Sequence, residues 1–588
     1  MIRILFGSAM KKTYDKNAVT TWPVPNYWDV IALALVLAVI VMLGWGAKAM
    51  VGKFTVGETI PISLDPIMLP YYALRTVLRM FLALAVSLLF TFIFGTWAAK
   101  SRQAERMIIP MIDILQSVPV LGFLTITVAG FIALFPGSML GPECAAIFAI
   151  FTAQVWNMTL SFYQSIRGIP ENLKEASAMF QLSGWQQFWR LEVPFAMPGL
   201  LWNTMMSMSS SWVFLVAAES ISVANQHITL PGMGSYIALA IEQADIQAVG
   251  YVIVAMFFVI LLYDQLLFRP LVAWAEKFKS DAHADEAEPE SWIFTLFQRT
   301  RALQYVGKYL TLTSEAIINF RLFRRRFVVR KRIEPSDTLR QIMIIVWNLL
   351  VIVLIVIAVM ILYRFIFTAV ALEEAGHVLY LGLITAIRVT LLIMISSLIW
   401  VPIGVWVGLH PRYSRLVQPI AQFLAAFPVN LLFPIAVIAI LTYHLNVNIW
   451  TSPLMILGTQ WYILFNVIAG TAALPRNLHY AVDTLNVTGW LWWKRFILPG
   501  IFPYYVTGAI TAAGGAWNIS IISEAVSWGN IHLYATGIGA YIAKMAAAGD
   551  FRRLALGITV MSLYVLMINR VMWRPLYNIA VERFQIRE

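Results

Sequence analysis

The chain repeats itself, and the repeat constrains everything else. Residues 170–198 read PENLKEASAMFQLSGWQQFWRLEVPFAMP and residues 475–503 read PRNLHYAVDTLNVTGWLWWKRFILPGIFP. A shift of 305 superposes Pro170, Asn172, Leu173, Gly184, Trp185, Arg190, Pro194 and Pro198 on Pro475, Asn477, Leu478, Gly489, Trp490, Arg495, Pro499 and Pro503. The same shift carries Trp212 to Trp517, Glu219 to Glu524, His227 to His532, Gly232 to Gly537 and Gly234 to Gly539. Roughly 20 identities fall in about 76 positions, several times the chance level. Earlier in each half the shift is 309, with Thr76, Arg79, Pro110 and Pro119 on Thr385, Arg388, Pro419 and Pro428. The fold must therefore be two copies of one unit.

The unit is a membrane unit. Hydrophobic residues make up 60% of the chain and charged residues 12%, about half the charge of a soluble protein. Twelve apolar runs are each long enough for a crossing of about 20 residues. They fall near 29–51, 77–98, 111–134, 143–165, 199–222 and 247–268, then 341–366, 386–408, 419–442, 450–470, 505–526 and 554–573. The fold class expected is all-α, with two six-span halves. Six is even, so the second copy enters with the orientation of the first and the repeat is parallel. No cleavable signal is evident before the first run. The single cysteine, Cys144, excludes an internal disulfide and a cysteine-cluster metal site.

Lysine and arginine set the orientation. Loops near 99–109 and 412–415 and both repeated hairpins carry bases, whereas those near 135–142, 223–246 and 443–449 carry none. Both termini and both hairpins are expected in the cytoplasm. Lys48, Lys53, Lys544, Arg552 and Arg553 fall on the opposite side and oppose this assignment. The halves are 1–271 and 341–588. Between them, 272–340 is a charged linker, acidic at 281–290 and basic over 321–332. Its middle alternates at helical spacing, as a surface-lying amphipathic helix would. Its bases suit contact with anionic lipid.

Each hairpin reads as helix–turn–helix across the membrane surface. Pro170 and Pro475 suit a helix start. Apolar residues recur at three and four (Leu173, Ala176, Met179; Leu478, Ala481, Leu485). Gly184 and Gly489 interrupt, and both are expected to set the second helix. The hairpin resembles the EAA loop of the membrane subunits of ATP-binding cassette importers. In that family the loop carries the coupling helix that docks on the nucleotide-hydrolysing subunit.

The stretches SWVFLVAAES (211–220), PGMGSYI (231–237) and YDQLLFRPL (263–271) are similar to the nitrate, sulfonate and taurine branch. The chain looks like two permease subunits fused, which implies type I importer permease architecture in a bacterial inner membrane. The resemblance assigns ATPase coupling to Glu175, Ala176, Gln181, Gly184 and Trp185, and to Tyr480, Ala481, Asn486, Gly489 and Trp490. Three positions depart from the family pattern. Its loop glycine is Gln181 here and Asn486 in the second copy, its glutamate is Glu175 but Tyr480 in the second, and the leucine before its proline is Val193 with Leu498 in the second. Asn tolerates a left-handed turn better than Gln.

The chain itself has no phosphate-cradling G-x-x-x-x-G-K-S/T loop. The resemblance implies two ATPase subunits as partners, which bind ATP and Mg, and a periplasmic or lipid-anchored substrate-binding protein. The cargo it implies is a small anion. The alternative from another class is an ion-gradient-driven carrier with two six-span halves. Acids in a membrane mark pathways or brace helices. Glu219 and Glu524, with Trp212 and Trp517, are candidates for a paired gate, or else cap or brace helix ends or receive the docking protein. Ser210 and Gly514 are candidates for the path, though small residues also serve helix packing.

Overall fold

The computed structural model describes residues 61–275, 292–320 and 337–584, apart from 117, 224–225 and 369, with scattered positions between 29 and 52. The expected first span, most of it, and the acidic and basic runs of the linker lie outside the described residues. In the first half, α1 is Pro66–Lys100, α2 is Arg102–Leu115, α3 is Val120–Leu134, α4 is Leu140–Arg167, α5 is Glu171–Met179 and α6 is Val193–Glu219. Strands β1 (Ser220–Val223) and β2 (Gln226–Thr229), α7 (Met233–Glu242) and α8 (Ile246–Trp274) complete it. The linker supplies α9 (Trp292–Arg299) and α10 (Arg301–Ile318). The second half holds α11 (Asp337–Phe367), α12 (Leu372–Leu409), α13 (Pro411–Ala426), α14 (Phe433–Thr442), α15 (Trp461–Ala472) and α16 (Arg476–Thr484). It ends with α17 (Gly489–Ser523), β3 (Ala525–Trp528), β4 (Ile531–Tyr534), α18 (Ile538–Ala548) and α19 (Phe551–Ala580).

Six described helices are long and apolar enough to cross a bilayer, or up to nine if each bent pair counts as one span. Three runs read as single spans are broken. α2 and α3 meet at 101°, the segments Arg412–Ala426 and Val429–Thr442 at 78°, and Val447–Leu457 and Trp461–Ala472 at 42°. The first two breaks fall at Pro119 and Pro428, whose missing amide proton and ring disfavour helix continuation. Hydropathy runs straight through them, so periodicity alone reads one span. The all-α expectation also needs correcting. Each half inserts an antiparallel β-hairpin after its long sixth or seventeenth helix, paired Ser220 to Thr229 and Ala525 to Tyr534. Alternating β-branched and polar residues favour extended chain there, and Gly529 takes the positive φ of 56° the second turn requires.

The halves are interleaved rather than merely adjacent. α3 packs with α17, α18 and α19 of the other half, and Val120, Leu121, Leu124 and Val128 join a core made mostly of second-half residues. Reciprocally, α13 packs with α6 and α8, where Phe423 meets Phe257 at 4.8 Å. The elbows repeat this exchange. Val120 N donates to Asn518 Oδ1 (2.8 Å) across the interface. Asn430 Nδ2 donates to the Val213 carbonyl (3.4 Å) in the opposite sense. Val213 and Asn518 are repeat-equivalent, so each half's proline elbow rests on the same place in the other.

Both repeated hairpins fold as helix, turn and second helical segment. The residues at the family's glycine position, Gln181 (φ 55°) and Asn486 (φ 47°), are left-handed, which is why that position favours glycine or Asn. The interrupting glycines differ. Gly489 has φ 64°, whereas Gly184 has no left-handed φ and open space around its missing side chain. In the first copy Ser183 and Gln186 form a capping box that starts the helix. The second copy has Leu491 where that Gln would be, Thr488 makes no side-chain cap, and the left-handed glycine makes the turn. The expectation that both glycines are required is thus corrected. Gly489→Val should lower stability by about 1–2 kcal/mol or more, while Gly184→Val should be within about 0.5 kcal/mol of the parent. Thermal midpoints of the two purified variants decide this.

Candidate functional site

Two features stand out: the hairpin tips and a cavity between the halves. At the first tip Met179 and Phe180 are 84% and 79% exposed, and Glu175, Gln181 and Gly184 are exposed beside them. Ala176 is half-buried, and so is Trp185, which turns inward to pack on Phe188 and Trp189. At the second tip Tyr480, Leu485 and Trp490 are 68%, 74% and 73% exposed, and Ala481, Asn486 and Gly489 are exposed too. Both tips are apolar surfaces without a covering element among the described residues. Each hairpin runs through a π-helical turn, Phe188–Glu192 or Trp493–Ile497, into the long helix behind it. Each hairpin is thus continuous in helical chain with α6 or α17.

α6 and α17 lead to the cavity, of about 210 Å³. Residues of both halves line it, including Gln116, Trp156, Asn157 and Ser210 from the first and Tyr462, Gly514, Trp517, Asn518 and Asn569 from the second. None of its described lining residues is Asp, Glu, Lys, Arg or His. The polar lining is amide and hydroxyl, so the wall offers hydrogen bonds without a fixed charge. The expected path residues Ser210, Gly514 and Trp517 come together here. Trp212, Glu219 and Glu524 do not line it. Trp212 is fully buried and meets Tyr263 edge-on at 5.7 Å.

Glu219 and Glu524 are each enclosed in their own half. Glu219 accepts from Arg79 (2.6 Å), Thr76 Oγ1 (2.7 Å) and Gly234 N (2.7 Å). Its carbonyl accepts from Leu230 N and Ser235 Oγ, which closes the β-hairpin on the same residue. Glu524 accepts from Arg388 (2.6 Å), Thr385 Oγ1 (2.8 Å) and Gly539 N (2.7 Å), and its carbonyl accepts from Ala535 N. A Cβ on Gly232 or Gly537 would collide with the carboxylate, and one on Gly234 or Gly539 with the carbonyl of Val216 or Ser520, so the first glycine of each G-x-G admits the buried acid and the second lets the chain lie against the preceding helix. Both acids are fully buried, a setting in which only paired, hydrogen-bonded charge is tolerated. This geometry favours a brace between α1 and α6, or α12 and α17, over a facing pair at a gate.

Sequence reasoning did not single out the cations. Arg79 also holds Glu143 (2.6 and 2.8 Å), and Arg75 holds it from another side (2.6 Å). The signal available was the coincidence of Thr76 and Arg79 with Thr385 and Arg388. Glu143 has no such signal, since Asn448 stands at its shifted position; there Asn448 Oδ1 accepts from Thr536 N, whose carbonyl accepts from Arg388.

Among the described residues no group of three His, Cys, Asp or Glu could hold a metal ion. A family model described as a binding-protein-dependent transport system inner membrane component matches the chain twice, at residues 91–267 and 400–571. The chain is similar to a bicarbonate transport system permease protein of Synechococcus elongatus, 27% identical over 149 residues, which are 25% of this chain and 50% of that protein. It is similar to a glycine betaine/carnitine transport permease protein of Listeria monocytogenes, 29% identical over 29% of this chain and 56% of the relative. A nitrate import permease protein of Synechocystis is 26% identical over 19% of this chain and 38% of its own length. The chain thus spans about half the length of the curated relatives it matches, or less.

Proposed function

The chain belongs to the family of binding-protein-dependent transport system inner membrane components, a multi-pass membrane family it enters twice over, and on that premise we propose that it is the fused permease of an ATP-driven importer. Its two halves enclose one translocation path, and each presents one hairpin to one ATPase subunit. The observation that carries this is the pair of exposed apolar hairpin tips, with Phe180 and Leu485 at repeat-equivalent positions, each continuous with a helix that lines the cavity. ATP and Mg belong to the ATPase partners, and a substrate-binding protein delivers the cargo from outside. On this reading both termini and both hairpins are cytoplasmic, the side that the balance of Lys and Arg in the loops favours.

The cargo we assign is a small anion, of the nitrate, sulfonate or taurine kind. A wall without acids does not repel an anion, and a wall without bases does not trap one, so the solute can leave as easily as it enters. Glu219 and Glu524 do not stand in the way, because their charge is neutralised within each half by Arg79 and Arg388. The test is composition and uptake. The purified complex should contain two ATPase subunits per chain by native mass. The chain alone should hydrolyse no ATP, and labelled small oxyanions should enter vesicles only when the complex is whole. A stable complex with one ATPase, or ATP hydrolysis by the isolated chain, would overturn the reading.

A further inference from the structure

α10 turns a large apolar face outward. Tyr305, Tyr309, Leu312 and Ala316 follow one another at spacings of four, three and four, so they share one face, and all four are exposed. Tyr309 and Leu312 are 65% and 53% exposed, and Ile317 on the flank of that face is 57% exposed. The face turned inward carries Gly307, Thr311 and Ile318, all buried. An ordinary surface helix buries its large apolar residues and exposes its small and polar ones. Here, among the described side chains, Tyr305, Tyr309, Leu312 and Ile317 point out, while Ile318 is buried with Gly307 and Thr311.

The position of α10 says what they point at. α9 packs on the end of α8, with Ile293 and Leu296 buried and Phe294 packed in the cluster around Trp274. The linker therefore begins at the level where a membrane span ends. At its other end Asn319, the residue after α10, accepts from Gln186 Nε2 (3.0 Å) and Arg190 Nη2 (3.2 Å). Those residues lie in the second helical segment of the first hairpin, which runs on into α6. One anchor ties α10, through α9, to α8, an apolar helix long enough to cross a bilayer, and the other ties it to the segment that runs on into α6.

Tyrosine is the residue that suits a boundary with an apolar side and a wet side. Exposed Lys308 borders the face, and seven bases follow between 321 and 332 (Arg321, Arg324, Arg325, Arg326, Arg330, Lys331 and Arg332). Such a run draws a segment to anionic headgroups.

We propose that the Tyr305–Tyr309–Leu312 face of α10 is a lipid-binding surface, seated in the interfacial layer of an anionic bilayer, and that Asn319 ties the first coupling hairpin to it. The second hairpin has no such tie among the described residues. The linker is thus more than a tether: it fixes one of the two hairpins relative to the lipid.

The test uses the full chain in vesicles of phosphatidylcholine and phosphatidylglycerol with brominated acyl chains. Cys144→Ser removes the native thiol. Tyr309→Cys and, separately, Leu312→Cys then carry a fluorescent label, with Met179→Cys at the hairpin tip as the water-exposed reference. Labels at 309 and 312 should be quenched at least roughly twofold more than the label at 179, and the same cysteines should resist a membrane-impermeant maleimide. Should labels at 309 and 312 match the reference in quenching and in maleimide reactivity, the face looks into water or awaits a protein, and the proposal is wrong. Agreement between two adjacent sites guards against one label disturbing the helix.

Discussion

Replacing Arg79 with Met should destabilise the chain more than any other single change discussed here. Arg79 is fully buried and bridges two acids, Glu143 and Glu219. Removing it leaves Glu219 with a hydroxyl and an amide for company and no counter-charge. Breaking a buried pair from one side costs about 3–5 kcal/mol, because the surviving charge is stranded in low dielectric. Arg79→Lys should recover only part of this, since an ammonium cannot reproduce the forked contact with Glu143. Arg388→Met should cost less. Arg388 holds one acid, and its side chain is 11% exposed, so water relieves some of the stranded charge.

The readout that separates a brace from a gate is transport per folded molecule. A brace predicts a thermal midpoint lowered by several degrees and unchanged uptake from the molecules that remain folded. The same split should hold for Glu219→Gln combined with Glu524→Gln. Unchanged midpoints with lost uptake would place these residues in the gating machinery instead.

Much of this was readable in the chain, for reasons that differ by feature. The hairpins were legible because their turn needs a left-handed residue, and Asn486 matches that need openly while Gln181 meets it under strain. The buried acids were legible because an acid in a span is costly wherever it sits. Their role was not, because a brace and a gate share one composition and differ only in what faces the carboxylate. Arg79 and Thr76 were visible as repeat landmarks, and their distance in sequence from Glu219 concealed the contact. The elbows were hidden for another reason: Pro119 and Pro428 lie inside continuous apolar runs, and a proline in such a run permits either a kinked span or a sharp break. The cavity could not be read at all. It is assembled from both halves across hundreds of residues, and its lining of Ser, Asn, Gln, Trp and Gly is also what ordinary helix packing uses.

Placing charge on the apolar tips should abolish coupling while sparing the fold. Met179→Asp with Phe180→Asp changes two side chains that are 84% and 79% exposed, so the stability change should stay within about 0.5 kcal/mol per site. If the tip seats in an ATPase groove, each buried apolar anchor is worth about 2 kcal/mol or more, roughly a thirtyfold weakening per residue. The ATPase should then fail to copurify at that hairpin, and uptake should fall at least about tenfold at unchanged protein level and thermal midpoint. Leu485→Asp with Trp490→Asp, 74% and 73% exposed, should do the same on the other side.

Single truncations should expose the difference between the copies. On the proposed docking, Glu175 would present an exposed acid to one ATPase subunit and Tyr480 an exposed phenol ring to the other. Glu175→Ala removes a charge-assisted contact, the stronger kind of hydrogen bond, whereas Tyr480→Ala removes only area and a neutral hydroxyl. Uptake should therefore suffer more from the first. Equal losses would mean that the two hairpins hold their ATPases by the apolar tip alone. Full ATPase binding after the double Asp changes would mean that the hairpins are not the docking elements, whatever their resemblance.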